Sequence, residues 1–331
     1  MDTSTARVVA RYRGKYRVKT DKKEYWAEIS GKMMHDAVSA ADYPAVGDRV
    51  NISTLDDDLA IINGIEPRKT LIQRKAAGKD EPQIIAANID VAFIVQAVDR
   101  DYNLNRIERY LALALSGRIK PAIVLNKADL ISEEKLNQKI SEVKDRFKDT
   151  DVIVVSTLDD NKFKDLADKI AGQKTYCLLG SSGVGKSSII NKLLGKNVLE
   201  TKEISFSTSK GKHTTAHREL FVLENGSSII DNPGMREVGL VESGEGIGVV
   251  FSKITGLAKE CRFPDCSHLH EPGCAVLAAV EAGELDRDKY ENYLKLKKES
   301  DFYSMTRLDK RRKDRSFGKM VNTGIKYKKK R

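Results

Sequence analysis

Residues Gly180-Ser181-Ser182-Gly183-Val184-Gly185-Lys186-Ser187 fit the pattern G-x-x-x-x-G-K-[ST], and no other stretch of the chain restricts its fold as much. Leu178 and Leu179, after Tyr176 and Cys177, close an apolar run that reads as a buried strand. Ser188 to Leu194 repeats its apolar positions at helical spacing until Gly195 ends it. A glycine-rich turn between a strand and a helix converges backbone N–H groups on phosphate oxygens, at the helix end where the dipole favours anions. There Lys186 neutralises β- and γ-phosphates, and the Ser187 hydroxyl can ligate Mg²⁺. The nucleotide-contacting set expected here is Gly180, Ser181, Ser182, Gly183, Val184, Gly185, Lys186, Ser187 and Ser188.

The stretch before the loop reads as alternating strands and helices: a strand at Val91 to Val98, a helix near Asn105 to Ser116, and a strand at Ala122 to Leu125. A helix at Ser132 to Phe147, a strand at Val152 to Val155 and a helix at Lys162 to Ala171, closed by Gly172, complete it. Near-continuous apolar strands between amphipathic helices predict a parallel sheet covered on both faces, with ligands at the carboxyl ends of its strands. Asn126-Lys127-Ala128-Asp129 falls at one such end. A carboxylate at Asp129 can accept both N1–H and the exocyclic amino group of guanine, a pair of donors that adenine lacks. Lys127 can lie along the base plane, Asn126 can fix the loop, and Ser156-Thr157 after the next strand can add a backbone contact. The tetrad and the phosphate loop together point to GTP rather than ATP.

Beyond the loop, Lys202 to Lys210 is polar, rich in Ser and Thr, and leads to Gly211-Lys212-His213-Thr214-Thr215. Such a segment suits a switch ordered by γ-phosphate and Mg²⁺, with Thr215, or failing it Thr214, as a metal ligand. Glu219 to Leu223 and Ser227 to Ile230 flank Asn225-Gly226, a hairpin signal. The second strand ends in Asp231-Asn232-Pro233-Gly234, where Asp231 can bind Mg²⁺ through water and the Gly234 N–H can meet the γ-phosphate. Met235 occupies the place of a water-orienting glutamine and cannot perform that role, which leaves His213 beside Lys186 as the catalytic candidates.

The segment before Pro67 has short alternating runs at Arg7 to Val9, Lys15 to Lys19, Tyr25 to Ile29, Val46 to Ser53 and Leu59 to Ile65. Five short strands predict a small barrel of the OB type. Arg7, Arg11, Arg13, Lys15, Arg17 and Lys19 share odd positions, which at a period of two predicts a cationic face suited to RNA phosphates or simply to solvent. Tyr12, Tyr16, Tyr25 and Trp26 can stack on bases or fill the barrel. Residues 68 to 88 read as a polar connector, with a new domain starting at Asn88.

Three of the four cysteines gather near the C-terminus: Cys261, Cys266 and Cys274, with His268 and His270 among them. Clustered in this way they read as metal ligands before disulfides. Three thiolates and an imidazole complete a closed tetrahedral site, so one structural Zn²⁺ is expected. Helical patterns follow at Cys274 to Glu281 and Asp286 to Lys298, and then a basic tail with Lys310, Arg311, Arg312, Lys313, Arg315, Lys319, Lys326 and Lys328 to Arg331. The chain of 331 residues carries 58 Lys and Arg against 48 Asp and Glu, a net charge of +10, which favours an anionic partner. No apolar run approaches the roughly 18 residues needed to cross a bilayer, and no signal-peptide pattern opens the chain, so a soluble cytoplasmic protein is expected.

The nucleotide elements occur in a rotated order, with the base-reading tetrad before the phosphate loop and switches. With that order, a barrel before it and a Cys/His cluster after it, the sequence resembles the circularly permuted, small-ribosomal-subunit-dependent GTPases of the RsgA (YjeQ) family. The resemblance rests on Asn126 to Asp129, Gly180 to Ser187, Gly211 to Thr215, Asp231 to Gly234, Cys261 to His268 and Glu271 to Cys274, and spans nearly the whole chain. It implies a GTP hydrolase stimulated by the small subunit, acting late in that subunit's maturation through rRNA, and it selects His268 over His270 as the fourth zinc ligand. Lys212 and Asn232 depart from the family's usual Arg and Thr or Ser without removing a proposed contact, and Thr157 stands where Ala is frequent, a contact that is in any case backbone. The expectation is therefore an α/β multidomain monomer: an OB-type barrel over 1–72, a permuted P-loop GTPase domain over 73–240 and an α-rich zinc-binding domain over 241–331. A nucleotide-gated RNA-binding scaffold with negligible turnover is the alternative.

Overall fold

The computed structural model describes residues 3–75, 82–99, 101–199, 218–231, 244–305 and 309. The chain opens with β1 (Thr3–Arg11), β2 (Tyr16–Lys19), β3 (Glu24–Ile29), a short helix α1 (Gly31–Asp36), β4 (Arg49–Thr54) and β5 (Leu59–Ile65). Their pairing runs β1-β2-β3-β5-β4 and returns to β1, closing a five-stranded barrel. Small and branched side chains fill it, among them Ala6, Val8, Val18, Ala27, Val50, Ile52, Ala60 and Ile62, and Tyr16 is buried with them.

The expected cationic face is only partly present. Alternation along β1 leaves Val8 in the barrel and puts Val9 on the face of Arg7, where the core of the neighbouring sheet covers it, and the pairing of β1 with β2 shifts register between Val8 and Ala10. Arg7 is half-buried and donates from Nη2 to the Thr175 hydroxyl at 2.6 Å. Arg17 lies over Trp26 at 5.0 Å and pairs with Glu24, while Lys15 pairs with Glu28, so acids of β3 answer these cations. Arg13, Lys15 and Lys19 are exposed. Tyr12 packs against Trp26, with ring centroids 5.2 Å apart.

The stretch expected as a connector instead carries a hairpin, β6 (Leu71–Lys75) with β7 (Pro82–Ala87). Ile72, Ile84, Ile85 and Ala86 are buried there. Their packing partners are remote in sequence, which is why local polarity at Lys79, Asp80 and Glu81 misleads. β4 also starts later than expected, because Val46 leaves the barrel to bridge Ala86. At Gly47, where φ is +93°, a Cβ atom would meet the Ala87 carbonyl oxygen at 2.1 Å, so only glycine lets the two units approach.

β8 (Val91–Ala97), α2 (Leu104–Ser116), β9 (Lys120–Asn126), α3 (Glu133–Arg146), β10 (Asp151–Val154), α4 (Asp160–Lys169), β11 (Thr175–Leu179), α5 (Lys186–Leu194), β12 (Arg218–Val222) and β13 (Ser228–Asp231) follow. Asn103, Ser132 and Asp159 cap α2, α3 and α4, each accepting N–H bonds of the first turn. The strands order as β10-β9-β8-β11-β13-β12, the first five parallel, and β12 pairs antiparallel with β1 to join this sheet to the barrel. From β8 the chain steps outward to β9 and β10, then returns to build β11 and β13 on the other side. The β8/β11 boundary is therefore the switch point where ligands collect in open α/β sheets.

Four helices complete the described fold: α6 (Gly244–Val250), α7 (Ser252–Ala258), α8 (Ala275–Glu281) and α9 (Arg287–Ser304). α6 and α7 were not expected, because Gly244, Gly246, Gly248 and Gly256 lower local helix propensity. Tertiary contact overrides it: a Cβ on Gly246 would lie 2.1 Å from the Ala112 carbonyl oxygen, so α6 sits directly on α2. A polar network fixes α9 to the sheet's helices. Glu108, fully buried on α2, accepts from Arg146 Nε at 2.8 Å and Asn292 Nδ2 at 2.5 Å, and Arg146 also reaches Asp288 at 3.1 Å. Removing one member of a buried ion pair leaves the other charge uncompensated, at a cost of about 3–5 kcal/mol. Arg146→Met should accordingly lower the thermal unfolding midpoint by several degrees, whereas a midpoint equal to wild type would show that the network does not hold α9.

Candidate nucleotide-binding site and thiolate cluster

Gly180 leaves β11 at φ +153°, where a Cβ would meet the Val95 carbonyl oxygen at 2.4 Å, and Gly183 and Gly185 turn with φ +84° and +98°. Val184 is buried between them and anchors the loop, while Ser182 is exposed at its crest. α5 starts at Lys186, earlier than the periodicity predicts, so its positive end with Ser187 and Ser188 faces the loop. The Lys186 ammonium donates to the carbonyls of Gly180 at 2.8 Å and Ser181 at 2.7 Å. Asp231, at the end of β13, is close enough to feel it: burial raises the Asp231 pKa, the Lys186 charge opposes that rise, and Glu219 adds to it. Arg106 on α2 reaches the Ser181 hydroxyl at 3.4 Å.

The base-reading tetrad is fastened to this loop. Asn126 ends β9 fully buried, and its Nδ2 donates to the Val184 carbonyl at 2.8 Å. A Cβ on Gly185 would lie 2.3 Å from that same nitrogen, so the glycine is what lets the two loops touch. Lys127 turns the chain at φ +62° and pairs with Asp99, Nζ to Oδ2 at 3.2 Å. Ala128 is buried and its N–H donates to the Val155 carbonyl. The Asp129 carboxylate accepts the Ser156 hydroxyl at 2.5 Å, and Ser156 in turn accepts the Leu158 N–H. The Thr157 carbonyl accepts Lys192 Nζ from α5 at 2.7 Å, a second tie between the base side and the phosphate side.

Asn126, Lys127, Ala128, Asp129, Ser156 and Thr157 thus gather with Gly180 to Ser188 and Asp231 at one sheet edge. His213, Thr215 and Gly234 lie outside the described residues. Sequence reasoning missed Asp99 and Arg106, which fit no motif; only their position just after β8, at that same edge, could have singled them out.

The second cluster sits under α8. Cys261, Cys266, His268 and Cys274 bring one ligand atom each to within 4.8 Å of one another. Cys261 Sγ is 3.8 Å from Cys274 Sγ, and His268 Nδ1 is 3.6 and 3.5 Å from those two sulfurs. A tetrahedron with Zn–S near 2.3 Å and Zn–N near 2.05 Å has S···S edges of about 3.8 Å and S···N edges of about 3.6 Å. The Cys261, Cys274 and His268 donors match those edges, and Cys266 lies within 4.8 Å of all three, so the donor set fits a zinc ion. Burial lowers the His268 pKa, with Lys297 adding to the effect, which keeps the imidazole in the neutral form a metal requires. His270 is exposed and outside the set. Cys177 is a core residue of β11, its thiol pushed far up by burial.

A parallel sheet with a phosphate loop and an N-K-x-D loop side by side at its switch point, the base-reading strand coming first in the chain, defines a circularly permuted P-loop GTPase. The profile of the RsgA GTPase family matches residues 65–241. A "Small ribosomal subunit biogenesis GTPase RsgA 1" of Bacteroides thetaiotaomicron is 39% identical over 97% of this chain and 90% of its own. An "RsgA 2" of Listeria monocytogenes is 42% identical over 91% and 85% respectively. Among solved structures, YjeQ from Thermotoga maritima superposes with a TM-score of 0.65 at 25% identity, covering 89% of this chain and 97% of that one. YloQ, described as a circularly permuted GTPase, superposes at 0.64 and 24% identity, covers 92% of this chain and shares its fold. The chain belongs to the RsgA GTPase family, and is a GTP hydrolase.

The Asn126–Val184 bond is buried, so its loss should cost about 1–3 kcal/mol, roughly a 5- to 150-fold weakening of guanine-nucleotide affinity. Titration of Asn126→Ala with a fluorescent GDP analogue measures this, and an affinity within twofold of wild type would contradict the coupling of the two loops.

Proposed function

We propose that this chain hydrolyses GTP in the late maturation of the small ribosomal subunit, that the subunit stimulates it, and that it holds the subunit through rRNA. The observation that carries the nucleotide part is the bond from Asn126 Nδ2 to the Val184 carbonyl, which fixes the base-reading loop to the phosphate loop. In this reading Asp129, oriented by Ser156, accepts the guanine N1–H and amino donors, and the aliphatic stem of Lys127 lies along the base while Asp99 receives its ammonium. Asn126, Ala128 and Thr157 complete the base pocket. Gly180 to Ser188 cradle the phosphates, with Lys186 compensating the charge that develops on them. Ser187, Thr215 and Asp231 hold Mg²⁺, Gly234 meets the γ-phosphate, and His213 orients the attacking water.

The partner follows from charge and kinship. Its relatives are named as small-subunit biogenesis GTPases, and a net charge of +10 suits a polyanionic surface. Arg13 and Lys19 on the barrel are exposed cations available to phosphates, and the basic residues 310–331 lie outside the described residues. Cys261, Cys266, His268 and Cys274 hold one zinc ion with no open position, so its role is structural. Among the described residues no helix is long and apolar enough to cross a membrane. We read the protein as a cytoplasmic monomer of three domains, in which the segment after Asp231 leads into α6 and so links the nucleotide to the helices above the zinc.

Asp129→Asn replaces an acceptor by an amide whose N–H₂ faces the guanine amino group. GTP affinity should fall at least about 100-fold while xanthosine triphosphate, which presents a carbonyl there, gains. Unchanged preference for GTP would place the base elsewhere. The function itself is tested by steady-state phosphate release across separate titrations of small and large subunits. Turnover should rise with small subunits alone, and His213→Ala should abolish that rise while retaining GTP affinity. A rate indifferent to small subunits would refute the proposal.

A further inference from the structure

His268 is held in an unfavourable backbone conformation, φ +61°, although it carries a Cβ. The residues around it explain how. One carboxylate, that of Glu271, accepts four donors: Oε1 takes the Ser267 N–H at 3.0 Å and the Ser267 hydroxyl, and Oε2 takes the Leu269 N–H at 3.1 Å and the His270 N–H at 3.2 Å. These donors lie on both sides of His268 in the chain. From the opposite direction, the Tyr290 hydroxyl on α9 donates to the His268 carbonyl at 2.5 Å in a buried contact. With its neighbours fixed by Glu271 and its own carbonyl fixed by Tyr290, His268 directs Nδ1 at the sulfurs of Cys261 and Cys274.

We propose that Glu271 and Tyr290 are positioning residues for the metal cluster, folding the Ser267–Glu271 loop so that the His268 imidazole stands at the fourth corner before the ion arrives. This rests on reading the four donors as a zinc site. Neither residue touches the ion. Each acts by removing freedom from a ligand: a histidine already held at the corner gives up little entropy on binding and has little room to swing away when the ion leaves. The two supports come from different elements, so the cluster is tied both to its own loop and to the helix that packs against α2 and α3. Partners of this kind alter metal affinity by about ten- to a hundredfold when removed.

The test uses the full chain loaded with zinc, as wild type and as Glu271→Gln, Glu271→Ala and Tyr290→Phe. Zinc content is measured first, then the rate of release to an excess of chromogenic chelator. Wild type should carry one equivalent. Glu271→Ala should release zinc about tenfold faster or more, Glu271→Gln by an intermediate factor because its amide keeps one acceptor, and Tyr290→Phe severalfold faster. Cobalt-loaded Glu271→Ala should show a changed visible ligand-field spectrum as water competes for the fourth corner, while guanine-nucleotide affinity stays within twofold and reports an intact fold elsewhere. Release rates within twofold of wild type in both Glu271→Gln and Tyr290→Phe overturn the proposal, including the case in which Glu271→Ala fails to fold. A wild-type chain that retains no zinc overturns instead the metal reading on which it stands.

Discussion

The hydrogen bond between Asn126 and the Val184 carbonyl joins two loops that are far apart in sequence, and the nucleotide site depends on it. It forms because β9 and β11 both end at the same edge of a parallel sheet, on either side of β8. Ordering both loops in the free protein lowers the entropy that a nucleotide must otherwise remove on binding. The contact is also why chain order matters little here. A site assembled from strand ends is unaffected by which strand the ribosome makes first, provided that the sheet order survives.

The sheet is held by its flanking units at separate places. On one side β1 is shared, its first half closing the barrel and its second half pairing with β12, while Arg7 reaches Thr175 at the start of the phosphate-loop strand. On the other, α2 carries Arg106 toward Ser181 and, within the same turn, Glu108 into the network with Arg146 and Asn292. The phosphate loop and α9 thus both contact α2, and Tyr290 on α9 donates to the His268 carbonyl in the thiolate cluster.

Much of this was legible in the residues. The phosphate loop, its strand and helix, the N-K-x-D loop, the five barrel strands and the three clustered cysteines each follow from short-range patterns with a stated mechanism, whereas the choice of His268 over His270 came from the family resemblance. What escaped was decided by remote partners. The β6–β7 hairpin is buried by residues far away in the chain, the glycine-rich α6 exists because α2 receives it, and the odd face of β1 is covered at Val9 by the neighbouring sheet. Asp99 and Arg106 belong to no pattern, and the support of Asp129 by the Ser156 side chain appears only once the loops are brought together.

If the two loops form one site, a single guanine nucleotide spans them both. A crystal structure with Mg²⁺ and a non-hydrolysable GTP analogue tests it most directly. The guanine N1 and amino nitrogens should lie within hydrogen-bond distance of the Asp129 carboxylate, with the β- and γ-phosphates over the N-terminus of α5 beside Lys186. A base seated away from Asp129 while the phosphates occupy the loop would contradict it.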